Sequence, residues 1–178
     1  AFTLAISSLR GLYSSAIDCW GVDLHPDYFS SRFGAGAPEP KIGVQHHHAH
    51  VVACMAEHQL KGPVLGLAWD GTGLGEDNTI WGGEFLLTTT TEFHRVGHLW
   101  PFRIPGGESS IQQPKRIALA LLVELAQGDI QQYQDLVPMQ LFLDEEIKNI
   151  QHMINNGICS PVTTSMGRLF DGISSLLG

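Results

Sequence analysis

Basic residues are scarce in this chain: Lys+Arg number 10 against 18 Asp+Glu, a formal charge of −8. A nucleic-acid surface needs a clustered basic face, and the nearest approach, Lys115-Arg116, is a single dipeptide, so that class of partner is excluded. Cysteine is sparse as well. Cys19, Cys54 and Cys159 lie far apart and form no Cys-x-x-Cys pair, which argues against a disulfide framework and against a thiolate zinc site. Reduced thiols in a cytoplasmic protein are the expectation. No apolar run approaches the roughly 20 residues that a membrane-crossing helix needs. The start, Ala1-Phe2-Thr3-Leu4, has neither an initiator Met nor a basic n-region, so the chain is expected to begin within a longer protein.

What is present suits a globular domain: 178 residues, 43% of them hydrophobic and 16% charged. Apolar spacing predicts a helix over 2–17 and a strand over 18–24 ending in Asp23-Leu24-His25-Pro26. A loop is expected at 34–40, a strand at 41–45 and a helix over 48–58 with Ala49, Val52, Ala53 and Ala56 as its packing face. The apolar run 63–69 reads as a buried strand, followed by a glycine turn and strands at 79–88 and 92–99. Past Pro101 the pattern turns helical, with a loop at 105–114 and helices over 115–126, 129–133, 144–156 and 165–177. Residues 1–100 thus read as a mixed-sheet part and 101–178 as a mainly helical part of one α/β domain.

The segment Gln45-His46-His47-His48-Ala49-His50 packs four imidazoles into five positions. His46 and His50 are four apart, one helical turn, so their rings can share a cation. Neutral imidazole suits zinc and iron(II), whereas calcium and magnesium prefer oxygen. From spacing alone, a pair of solvated histidines and a metal site both stay open. A strand end immediately before the cluster favours a ligand site, and a third ligand is then needed from another strand end.

Asp70-Gly71-Thr72-Gly73-Leu74-Gly75 follows the most apolar strand. Glycines let backbone approach phosphate, and successive N–H groups can form an anion-binding nest. A tight hairpin with no ligand is equally open. The loop is not a P-loop, lacking Gly-Lys-Ser/Thr and a following helix. It resembles the phosphate-binding hairpins of the actin and sugar-kinase superfamily. Near the end, Leu169, Phe170, Ile173, Leu176 and Leu177 give a helix an apolar face, with Arg168 and Asp171 on its other side or edge. Read in isolation, those two charges are a solvated pair.

As an ordered set, Asp23-Leu24-His25-Pro26-Asp27-Tyr28, Val44–His50, Leu67–Gly73, Ile80–Phe85, Pro105-Gly106-Gly107 and Ser165–Asp171 resemble the hydrogenase-maturation carbamoyltransferase family, HypF, in its domain related to the tRNA threonylcarbamoyl-adenosine enzyme. The resemblance implies a partial actin-like ATPase (ribonuclease-H-like) fold with a helical insertion in its C-terminal half. It implies a divalent metal, zinc or iron, on His46, His50 and Asp70, and nucleotide contacts from Gly71, Thr72, Gly73, Gly167 and Asp171. It also implies the reaction: a carbamoyl group passes from carbamoyl-adenylate, made from carbamoyl phosphate and ATP, to the C-terminal cysteine thiol of a maturation partner. The thiolate comes from the partner, so no cysteine of this chain is required as nucleophile, and Cys54 is expected to be buried packing. O-carbamoyl transfer to a small molecule, or an inactive truncated metal- and nucleotide-binding module, are the alternatives. The chain by itself is expected to be inactive and to bind metal weakly.

Overall fold

The computed structural model describes residues 2–13 and 16–178. The chain divides into two compact units, Ala1–Val44 and Gln45–Gly178. In the first, helix α1 (Phe2–Tyr13) precedes a parallel pair of strands, β1 (Trp20–Asp23) and β2 (Lys41–Val44), joined through helix α2 (Phe29–Ala35). Residues 14 and 15 of the expected first helix lie outside the described residues, and 16 and 17 are not helical. Helix α2 was not expected, and the loop placed at 34–40 starts inside it. Its basis is an aromatic i,i+4 pair: the Phe29 and Phe33 rings both meet Phe2 edge-on, at 5.3 and 5.4 Å.

The second unit opens with helix α3 (His46–Glu57) and continues through strands β3 (Val64–Leu74), β4 (Ile80–Thr88), β5 (Phe93–His98) and β6 (Phe102–Arg103). Helices α4 (Glu108–Gln112), α5 (Pro114–Leu125), α6 (Val137–Gln140) and α7 (Asp144–Asn156) follow, then strand β7 (Val162–Thr163) and helix α8 (Met166–Leu177). Residues 129–133, expected as helix, hold only a 3₁₀ turn at Gln131–Tyr133. The strand order is β3-β4-β7-β6, with β5 antiparallel to β4. One contact, Ile80 opposite Thr163, joins β7 to β4 in parallel and thereby places the start of α8 beside the β3–β4 hairpin.

Two expectations about helix faces fail. On α3 the buried residues are His47, His48, Val51 and Met55, while Ala49, Ala53 and Ala56 are exposed. The helix starts two residues earlier than expected, and its inward stripe therefore begins on imidazoles instead of alanines. Cys54 lies outside that stripe and is exposed, not buried. On α8, Phe170 and Leu177 are 64% and 83% exposed, and packing falls to Leu169 and Leu176. Gly172 lets α8 sit against α5, since a β-carbon there would lie 2.6 Å from Leu121 Cδ1.

The core lies in three clusters. Val51, Met55, Ala68, Trp81 and Leu86 hold α3 on the sheet, and Phe102, Ile104 and Ile117 fasten α5 to β6. A third cluster, including Leu119, Leu122, Ile150 and Ile154, fills the helical part. Among the described residues no helix is long and apolar enough to cross a membrane.

Candidate metal centre

Gln45 fixes the start of α3. Its side-chain oxygen accepts from His48 N–H at 2.8 Å, an N-cap that forces the histidines into the first turn. Helical geometry then stacks His46 and His50 on one face, rings 4.8 Å apart. Asp70 arrives from β3, so its carboxylate faces the same space.

The distances set the chemistry. His46 Nε2 lies 2.8 Å from Asp70 Oδ2 and 3.2 Å from His50 Nε2, and His50 Nε2 lies 3.5 Å from that same oxygen. One ring nitrogen carries either a proton or a lone pair, so His46 Nε2 cannot donate to Asp70 and also accept from His50. A shared cation would remove the conflict. The three ligand atoms lie within 4.8 Å of one another, and two imidazoles with one carboxylate suit zinc or iron(II). Partial burial pushes the Asp70 carboxyl up. The Gly71 N–H, the His46 hydrogen bond and the nearby His50 outweigh that and hold it below the usual carboxylate range.

The glycine stretch differs from the expected turn. Strand β3 runs on through it to Leu74, with a register shift against β4 between Trp69 and Gly73, and the reversal comes at Gly75–Thr79. The glycines are there for space. A β-carbon on Gly73 would lie 2.5 Å from the His47 ring and 2.9 Å from the His46 ring, so this position admits the imidazoles. Gly71 and Gly167 face each other, with a Gly167 β-carbon only 2.8 Å from Gly71 Cα. Thr72 lies between Gly71 and Gly73 on β3 and is exposed. Asp171 is not at the trio: it borders a cavity of ≈ 580 Å³ with Gln113, Lys115 and Ser174.

Three contributors were not anticipated. Ser165 Oγ lies 2.8 Å from both the Asp70 and Gly71 carbonyl oxygens and accepts from Arg168 N–H at 3.1 Å, tying the start of α8 to the bulge. Glu84 is fully buried. It accepts from the Gly82 and Gly83 N–H groups at 3.1 Å each, from Thr164 Oγ1, and from Arg95 Nε at 2.6 Å. Arg168 spans from Asp171 to Gly71. Local pattern marks these partners only in part: Ser165 caps α8 and Arg168 pairs with Asp171, but the contacts of Ser165 with Asp70 and Gly71 and of Glu84 with Arg95 and Thr164 join separate elements.

His47 is fully buried and is not part of the trio. Because the Gln45 oxygen faces His48 N–H, its amide nitrogen faces His47 Nδ1 at 3.3 Å, which makes Nδ1 the acceptor and leaves Nε2 with the proton. Burial, aided by the charge of His46, depresses His47 from 6.5 to about 4. Between these values the unfolded chain takes up a proton that the folded one refuses. The stability this gives is complete above pH 6.5 and drains away as pH falls toward 4. Thermal melts of the metal-free protein should lose stability over that window more steeply than His47→Gln melts do, and equal slopes would contradict the assignment.

Comparison with known proteins identifies the family. Residues 66–178 match the family model described as the carbamoyltransferase, Kae1-like domain, second subdomain, and residues 1–57 match the HypF Kae1-like domain. The chain is 42% identical, over 99% of its length, to carbamoyltransferase HypF of Synechocystis sp., and spans 25% of that relative. It superposes with TM-score 0.91 and 34% identity on full-length HypF crystallised in a phosphate- and nucleotide-bound form, covering 99% of this chain and 27% of that one. For T. kodakarensis HypF the TM-score is 0.81 at 29% identity, covering 98% and 24%. The chain thus spans about a quarter of the relatives it matches. With two family models covering nearly all of its length, the chain belongs to the HypF carbamoyltransferase family, in its Kae1-like region.

Proposed function

We propose that this chain forms the metal- and nucleotide-binding part of an enzyme that moves a carbamoyl group from carbamoyl-adenylate, itself made from carbamoyl phosphate and ATP, to the C-terminal cysteine thiol of a hydrogenase-maturation partner. In this reading the fold is a partial actin-like ATPase fold. Residues 1–100 form the metal and phosphate core, and 101–178 the mainly helical insertion. The observation that carries the proposal is the convergence of His46, His50 and Asp70 beside Gly71.

His46, His50 and Asp70 would hold a zinc or iron ion. When bound, that ion supplies Lewis acidity toward a carbonyl or phosphoryl oxygen. The remaining work belongs to the chain. A carbamoyl–phosphate anhydride has a good leaving group, so catalysis is chiefly positioning and charge stabilisation. The bulged backbone at Gly71, Thr72 and Gly73 gives the nucleotide close approach, with Gly167 and Asp171 contributing from α8. Ser165 fixes the Asp70–Gly71 peptide so that metal ligand and cradle keep one spacing. The HypF relative crystallised with phosphate and nucleotide supports this assignment.

The test is transfer of labelled carbamoyl from carbamoyl-adenylate to a peptide ending in cysteine, by the whole protein with zinc or iron(II) restored. Label is expected on the peptide thiol, and removal of metal by chelation should abolish it. Label on a small hydroxylated acceptor in place of the thiol would sink the proposal.

A further inference from the structure

Arg168 has more hydrogen-bonding capacity than its neighbours use. Its side chain is 16% exposed, and its Nη1 lies 3.0 Å from Asp171 Oδ2. Its Nε is buried with no partner. The Nη2 end reaches the glycine stretch: it lies 3.4 Å from where a β-carbon on Gly71 would sit, and among the described residues, Gly71's chain neighbours aside, no other heavy atom comes within 4 Å of that point.

A purely structural ion pair is satisfied on both sides, because donors left unused in a mostly buried guanidinium are unfavourable. This one is held by one carboxylate and presents its other edge to the backbone next to Asp70. Its position is fixed at the main chain as well, since Arg168 N–H donates to Ser165 Oγ, which bonds the Asp70 and Gly71 carbonyls. An anion resting on Gly71 would therefore meet a pre-placed planar fork. Guanidinium matches phosphate in charge and in geometry, and an ammonium does not reproduce the fork.

We infer that Arg168 is the phosphate anchor of the nucleotide site, and that Asp171 acts by holding Arg168 in place; this rests on the nucleotide-binding reading proposed above. It reassigns the charged contact at this end of α8 from Asp171 to the residue three positions before it.

The experiment measures binding of AMP and of adenosine by calorimetry, in the whole protein with its metal, for the unaltered chain and for Arg168→Gln and Arg168→Lys. Loss of a charge-assisted fork should weaken AMP about 10- to 100-fold in Arg168→Gln while adenosine stays within about twofold. Arg168→Lys, which keeps the charge and protects the fold, should fall between. An equal loss for AMP and adenosine, or AMP binding unchanged in both variants, overturns the inference and leaves the nucleotide site standing. An unaltered protein that binds neither ligand brings down the nucleotide-binding reading and this inference with it.

Discussion

Asp70→Ala should lower zinc affinity on the order of 100- to 1000-fold, read by competition with a chelating dye. The size follows from the share of a structural zinc site's binding energy that one ligand carries: roughly 10–16 kcal/mol over four ligands is about 2.5–4 kcal/mol each. That size also discriminates between two roles for the carboxylate. Asp70 Oδ2 lies 2.8 Å from His46 Nε2, so it could instead orient that ring from outside the coordination sphere. Loss of an outer partner gives about 10- to 100-fold. His46→Ala and His50→Ala should match the larger figure. His48→Gln serves as the contrast, because its Nε2 faces the Thr89 carbonyl at 3.0 Å, away from the trio, and affinity should stay within about twofold. Zinc bound by Asp70→Ala as tightly as by the unaltered chain would remove the carboxylate from the site.

Local spacing carries only fragments of this candidate centre, and their grouping into one ligand set came from the family resemblance. His46 and His50 are four apart on a helix, and Asp70 ends the apolar part of a strand. Long elements were legible for the same reason: α7 occupies 144–156, the residues its periodicity marks. The two-residue strands β6 and β7 rest on pairings across sixty to eighty positions, Phe102 with Thr163 and Ile80 with Thr163, and no window of sequence contains them. The inward face of α3 was misjudged because the helix starts at His46, which turns His47 and His48 inward; His47 Nδ1 meets Gln45 and His48 Nε2 meets the Thr89 carbonyl, while His47 Nε2 stays buried without a partner. Glu84 was passed over for a related reason. Its burial is made tolerable by Arg95 and Thr164 from other parts of the chain together with the Gly82 and Gly83 N–H groups, and the first two lie outside any local window.

That burial leads to the second large effect. Glu84→Ala should destabilise the protein by about 3–5 kcal/mol, the usual consequence of removing one partner from a buried ion pair. Four groups lose this partner at once: the Arg95 guanidinium, itself stacked 4.2 Å over Trp81, the Gly82 and Gly83 N–H groups, and the Thr164 hydroxyl. For a chain of this length the melting temperature should fall by roughly 6–20 °C. Asp77, at 3.0 Å from Arg95 Nη1, is half-exposed and compensates little. The damage should also reach the metal ligands. Glu84 holds Thr164, the next residue Ser165 holds the Asp70 carbonyl, and a β-carbon on Gly82 would lie 2.5 Å from that carbonyl. Zinc affinity should therefore drop in Glu84→Ala at temperatures where the protein is still folded. Pairing Glu84→Leu with Arg95→Met separates the causes, since an apolar pair of similar bulk should recover most of the melting temperature while leaving the Gly82 and Gly83 N–H groups without their acceptor. If stability returns and zinc affinity does not, Glu84 positions the centre through the backbone it binds. A change below about 0.5 kcal/mol in Glu84→Ala, the size of a surface substitution, would show that the buried carboxylate supports neither the fold nor the site.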